Sequence, residues 1–264
     1  MSNATIPRTS YSRLSTWLRC PRKYRLRYLD EAPEECTSAA MLFGVAIHEA
    51  CELFLAGLKD QSPSSLDAML AAFGRAFMDG AELAESTGTP VDWGTASRDE
   101  WLEKGAGLLA AFQAGVDRGI RVLGTEVPFS LELVPGRIVD GVMDLVLDEG
   151  NGRVRVVDLK TAASTYGPDR LDYDLQPTIY MAAARRLYGQ DGQVDFEYWL
   201  LLKTRTPQFR VLPVVRDSRD FAELIETMAE VDQACLRGVF PRLRGFACKG
   251  CEYARRCAGQ EART

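Results

Sequence analysis

The sequence predicts an α/β protein in which a helical N-terminal region precedes a β-sheet core. Two observations predict this. Apolar residues recur at helical spacing as far as about residue 118, and beyond it they alternate or run in Val, Ile and Leu as strands do. The turn Glu149-Gly150-Asn151-Gly152 then joins two of these strands as a hairpin. With 264 residues, 46% of them hydrophobic and 26% charged, the chain can bury a substantial core as one large domain or two small ones.

Residues 9–29 read as a helix capped by Ser10 or Ser12 and interrupted near Pro21. A second helix over about 39–58 is built around Phe43, Ile47 and Phe54. The polar run 60–65 is a loop, followed by a helix over about 66–85. Gly, Pro and Thr make 86–97 a flexible connection to a helix over about 98–118. Strands follow at 125–134, 138–148 and 153–159, then a helix at about 175–187. Strands at 195–203 and 208–215 and a helix over about 218–237 lead into a cysteine-rich tail. No apolar run reads as long enough to span a bilayer and no secretory leader is visible, so cytoplasmic residence is expected.

The net charge of −5 argues weakly against a passive nucleic-acid coat, but basic residues gather at both ends. Arg8, Arg13, Arg19, Arg22, Lys23, Arg25 and Arg27 have no acid among them; Arg237, Arg242, Arg244, Lys249, Arg255 and Arg256 face only Glu252. A phosphate-binding surface and two solvated helix faces are both open on charge alone.

The chemistry concentrates in the hairpin. Asp158 and Lys160 are two apart on one strand and share a face, while Asp144 lies on the partner strand. Two carboxylates and a lysine can therefore converge on one point. Carboxylates bind magnesium or manganese, and a lysine beside the ion can orient water or stabilise charge, which is what phosphodiester hydrolysis needs. Asp-x-Lys alone is short and common, and by itself reads as a surface pair. His48, the only histidine, lies on an apolar helix, where such a residue is ordinarily a satisfied core or surface group. Glu126 reads equally as a second carboxylate near a site and as a solvated strand end; Glu49 and Glu52 read as helix-surface acids.

Taken together, Gly44 to His48, Gly141 to Asp144, Asp158-Leu159-Lys160-Thr161 and Gln176 to Tyr180 resemble the ordered motifs of RecB-like nucleases in the PD-(D/E)XK superfamily. Ser12 to Leu14 and Cys20-Pro21-Arg22-Lys23-Tyr24 resemble the start of that family. The resemblance implies a restriction-endonuclease-like mixed sheet flanked by helices. It implies His48, Asp144, Asp158 and the Leu159 backbone carbonyl as ligands of Mg2+ or Mn2+, and Lys160 as the group that positions the attacking water. Gln176 and Tyr180, one helical turn apart, would contact DNA or support the site, and Arg22 and Lys23 would contact DNA. Asp158 stands where many relatives carry Glu, which moves the ion by about one methylene.

Seven cysteines in such a chain do not suggest a disulfide framework. Cys36, Cys51 and Cys235 stand alone and read as packing residues, whereas Cys248, Cys251 and Cys257 form a C-x2-C-x5-C run with Cys20 far upstream. Thiolates hold iron–sulfur clusters or tetrahedral zinc. The arrangement resembles the iron–sulfur subclass of RecB-like nucleases, including CRISPR-associated and helicase-associated members, and so implies a 4Fe-4S cluster; zinc and uncoordinated cysteines remain open. A cluster would staple the termini together, giving an iron–sulfur module of residues 5–30 and 236–260, a helical region of 31–120 and a nuclease core of 121–235.

The function expected from these motifs is a metal-dependent DNA exonuclease that prefers single strands or free ends. No phosphate loop or helicase signature is visible, so the nuclease acts alone or with separate partners, as a homo-oligomer or with recombination or CRISPR proteins in phage or cellular DNA metabolism. Two rivals are a DNA-end-binding or scaffold protein with a vestigial site and a zinc-stapled RNA-processing factor.

Overall fold

The computed structural model describes residues 8–134, 136–189 and 193–259; residues 5–7 and 260 of the expected terminal module lie outside them. The chain begins with β1 (Arg8–Ser10), α1 (Tyr11–Arg19) and α2 (Pro21–Tyr28). The expected single helix is two, because Cys20 is extended and Pro21 starts a new first turn. Ser10 is the cap of α1, accepting the Arg13 N–H. Then follow β2 (Thr37–Ser38), α3 (Ala39–Lys59), α4 (Leu66–Ser86), β3 (Val91–Asp92) and α5 (Arg98–Gly115).

The core strands are β4 (Val122–Val134), β5 (Arg137–Gly150) and β6 (Arg153–Ala162). After α6 (Pro168–Tyr173) and α7 (Leu175–Tyr188) come β7 (Val194–Leu202), β8 (Gln208–Val214) and α8 (Ser218–Leu236). A short 3-10 turn (Phe246–Cys248) and α9 (Ala254–Cys257) close the described chain.

Among the described residues, six strands form one mixed sheet in the order β1-β5-β6-β7-β8, with β4 also on β5. The β5–β6 hairpin is antiparallel, and β6 pairs parallel with β7. A parallel neighbour requires a crossover, and α6 and α7 supply it. The β6–β7 pair is buried on both faces. Val156, Tyr198 and Leu200 pack with Leu14 of α1, Ile179 and Ala183 of α7 and Met228 of α8. The alternate residues Val157, Leu159, Trp199 and Leu201 pack with Phe43 and Phe54 of α3, Phe73 and Phe77 of α4 and Phe112 of α5. Fully burying each such aromatic contributes about 1.5–3 kcal/mol.

Two expectations need correction. Residues 86–97, read as a flexible connection, include a short strand: Val91–Asp92 pairs parallel with Thr37–Ser38, and the Trp93 and Phe77 rings meet T-shaped at 5.9 Å. Packing of the half-buried Trp93 against the helical layer outweighs the turn-forming composition there. The second correction concerns α3, whose 21 residues and mean hydropathy of 1.6 do make it long and apolar enough to cross a membrane. Phe43, Ala46, Ile47, Ala50, Cys51, Phe54 and Leu55 are instead fully enclosed by the helical layer and the sheet.

The tail returns to the N-terminal helices. Arg22 N–H donates to Pro241 O at 3.2 Å and Glu35 N–H to Glu252 O at 2.8 Å. The Glu35 carboxylate accepts the Arg255 and Arg256 backbone N–H groups at 3.1 and 2.8 Å. Tyr24 and Phe240 stack with centroids 6.3 Å apart.

Candidate active site

The rungs between β5 and β6 stop at Leu145–Val157. The next residues on the two strands are Asp144 and Asp158, so both carboxylates sit where the hairpin splays open. Asp144 replaces the missing rung by accepting the Leu159 N–H on Oδ2 at 2.7 Å. Strand β5 changes face here: Met143 belongs to one core layer and Leu145 to the other. Gly141 is required just upstream, because a Cβ there would lie 2.4 Å from the Phe129 ring.

Asp158 is almost fully buried. Its Oδ1 accepts the Gln176 side-chain N–H at 2.6 Å, and its Oδ2 faces the Lys160 ammonium in an ion pair. His48 approaches from α3 with Nδ1 3.6 Å from Asp144 Oδ2. Ligand atoms of His48, Glu126 and Asp144 lie within 4.8 Å of one another, the one such group of three among the described residues. Glu126 lies between the Thr125–Leu145 and Val127–Met143 pairs of β4 and β5, as Asp144 does, and is held at φ 46°, a left-handed conformation costly for a non-glycine residue. Thr125 Oγ1 donates to Glu52 at 3.4 Å, which brings a further acid alongside.

Burial and crowding set the protonation. Burial drives the Asp158 carboxyl up to about 6, against the pull of Lys160, and raises Asp144 as well. Partial burial, then Asp144 and Glu52, push Glu126 up to about 7. Burial also lowers His48 to about 4, aided by Lys160, so its imidazole is neutral at pH 7 and offers a lone pair. Burial opposes the Lys160 charge, but Asp158 and Asp144 outweigh it and hold the ammonium above the ordinary lysine range. Carboxylates that must shed protons together, beside a neutral imidazole, form a donor set suited to a divalent cation.

Of the expected site residues, His48, Asp144, Asp158, Lys160 and Gln176 come together, with the Leu159 backbone at their centre. Tyr180 is buried against Phe129 and Phe196 rather than presented to solvent. Lys23 is paired with Glu252 at 2.8 Å, and Arg25 and Arg27 also have acidic partners, so much of the N-terminal basic stretch is neutralised. The sequence reading took Glu52 as a surface acid. Its four-residue spacing from His48 on one helix face was the available signal.

Cys20, Cys248, Cys251 and Cys257 all line one cavity of about 860 Å3 between α2 and the tail. The seven cysteines form no disulfide among the described residues.

The family model for the PD-(D/E)XK nuclease superfamily matches residues 8–258, almost the whole described chain. The chain belongs to the PD-(D/E)XK nuclease superfamily. A candidate exonuclease from Eubacterium rectale, solved as a crystal structure, superposes with a TM-score of 0.56 at 15% identity, covering 94% of this chain and 86% of that one. A crystal structure of SSO0001 aligns over 95% of this chain and 96% of its own at 14% identity, with a TM-score of 0.36. No curated protein matches the chain by sequence. Superfamily members use divalent metals.

Proposed function

We propose that this PD-(D/E)XK protein is a divalent-metal-dependent DNA exonuclease acting on single-stranded ends. The observation that carries this reading is the opening of the β5–β6 hairpin at Asp144 and Asp158, with Lys160 and His48 turned into it. Asp144, Asp158, His48 and the Leu159 carbonyl would hold Mg2+ or Mn2+, with Glu126 as a further oxygen ligand at the rim. The donor set fits: Asp158 Oδ2 is buried with the Lys160 ammonium as its partner, and a neutral imidazole stands beside Asp144. When bound, such an ion supplies Lewis-acid stabilisation of charge building on the phosphoryl group. Lys160, a cation at neutral pH, orients the attacking water and faces the phosphate. Gln176 fixes the Asp158 carboxylate, and Tyr180 packs beneath them; both serve as support rather than as DNA contacts.

In the same reading, Cys20, Cys248, Cys251 and Cys257 carry a 4Fe-4S cluster that staples the two termini. Their lining of one cavity supports a shared group. Arg22 and the arginines of the tail would flank the DNA path.

The test is digestion, in manganese, of linear single-stranded, linear double-stranded and closed circular single-stranded DNA carrying internal and end labels. Stepwise loss of the linear single strand with the circle intact is expected. Cleavage of the circle at the same rate makes the protein an endonuclease, and no digestion of any substrate overturns the reading.

A further inference from the structure

Where the chain leaves β6 after Ala162 it borders an open cleft of about 470 Å3, lined by Lys160, Thr161, Thr165, Tyr166, Gly167 and Arg170 among others. Lys160 is shared, so this cavity begins where the carboxylate–lysine centre ends. The Arg170 guanidinium carbon lies 3.7 Å from the Tyr166 ring centroid. Tyr198, fully buried, meets the Tyr166 ring edge-on at 5.3 Å. Arg170 Nε is 3.7 Å from Asp174, which also caps α7 by accepting the Gln176 N–H at 3.1 Å. The stacked pair is thus held from two sides. The Arg170 side chain remains 48% exposed, and its Nη groups make no hydrogen bond among the described residues.

A guanidinium laid over an aromatic ring offers N–H edges for a phosphate and a planar face for a base. It lines the same cavity as Lys160, the residue that the proposed function sets beside the scissile phosphate. A base inside a duplex has both faces covered by its neighbours; an unpaired one does not.

We infer that this cavity is a nucleotide subsite, which takes the nucleotide adjoining the scissile phosphate on a single strand, its phosphate on Arg170 and its base against the Tyr166–Arg170 stack. The inference rests on the nuclease reading and names the strand contact that gives its preference. Loss of one charge-assisted phosphate contact weakens binding on the order of tenfold.

The experiment measures binding of a labelled single-stranded oligonucleotide and of its duplex by fluorescence anisotropy in calcium, and cleavage kinetics in manganese. It compares the wild type with Arg170→Ala, Arg170→Lys and the distant Arg186→Ala. Arg170→Ala is expected to weaken single-strand binding about tenfold and duplex binding far less. It should raise KM with kcat retained, the mark of uniform binding, while Arg170→Lys recovers part of the loss. Equal losses in Arg170→Ala and Arg186→Ala, unchanged single-strand binding, or a fall in kcat alone would each overturn the subsite. Arg170-dependent binding without any cleavage would instead sink the nuclease reading and leave the subsite standing.

Discussion

The Asp144 carboxylate accepts the Leu159 N–H at 2.7 Å, one step beyond the last paired rung of β5 and β6. A side chain thereby does the work of a strand neighbour, and the hairpin opens without leaving a buried donor unpaired. Asp144→Asn keeps an acceptor oxygen at this position but loses the charge. Its melting temperature should stay near that of the wild type, while manganese-dependent cleavage falls by more than about 100-fold, beyond the loss typical of a group that merely supports a ligand. Calorimetry and a cleavage assay on the same preparation check both halves.

Gln176 donates to Asp158 at 2.6 Å from a buried position and fixes which way that carboxylate points. Gln176→Leu removes the donor with little change in volume. Activity or metal affinity should drop about 10–100-fold. The acidic limb of the pH–rate profile should also move upward, because the donor favours the ionised form. A profile that keeps its position would remove Gln176 from the site.

The carboxyl shifts set a pH dependence whose sign can be worked out. Glu126 lies at about 7 against an ordinary 4.5, and Asp158 at about 6 against 3.8. A carboxyl raised on folding stabilises the protein below its unfolded pKa, and that contribution is lost as pH rises through the folded value. His48, lowered to about 4 from 6.5, contributes above 6.5 and loses its share as pH falls through 4. Ionised carboxylates and a neutral imidazole both favour a cation at the upper end. The rise in melting temperature on adding manganese should therefore be larger at about pH 8 than at about pH 5. An equal rise at both would contradict the assigned ligands.

Arg216 is buried and, among the described residues, donates to Thr178 Oγ1 and to the carbonyls of Leu171, Asp174 and Val215 at 2.8–3.1 Å rather than to a carboxylate. It ties α6 to the start of α7, which carries Gln176. Arg216→Met should lower unfolding stability by about 1.5–3 kcal/mol, the range for hydrogen bonds to charged groups, as read from urea titration. It should also slow cleavage through the displaced α7.

How much of this was legible depended on how local each signal was. Asp158 and Lys160 share a face by the two-residue repeat of any strand, so the hairpin and its convergence could be read directly. The sheet core was readable for the same reason. β1 and α6, of three and six residues, are too short to carry a period and were missed. Glu126 could not be chosen from the sequence, because its place beside Asp144 depends on a cross-strand register and a φ of 46°. Arg216 reads as a surface cation until α6 and α7 are seen to close over it. The pairing of the basic stretch at the N-terminus was not legible for a related reason: its partners Glu34 and Glu252 come from a loop and from the far end of the chain.

The most direct measurement is manganese-dependent hydrolysis of an end-labelled single strand by the wild type and by Asp158→Ala, folding being matched by circular dichroism. The splayed hairpin predicts release of mononucleotides by the wild type and none above background in the variant. Undiminished cleavage by Asp158→Ala would place the chemistry elsewhere in the molecule.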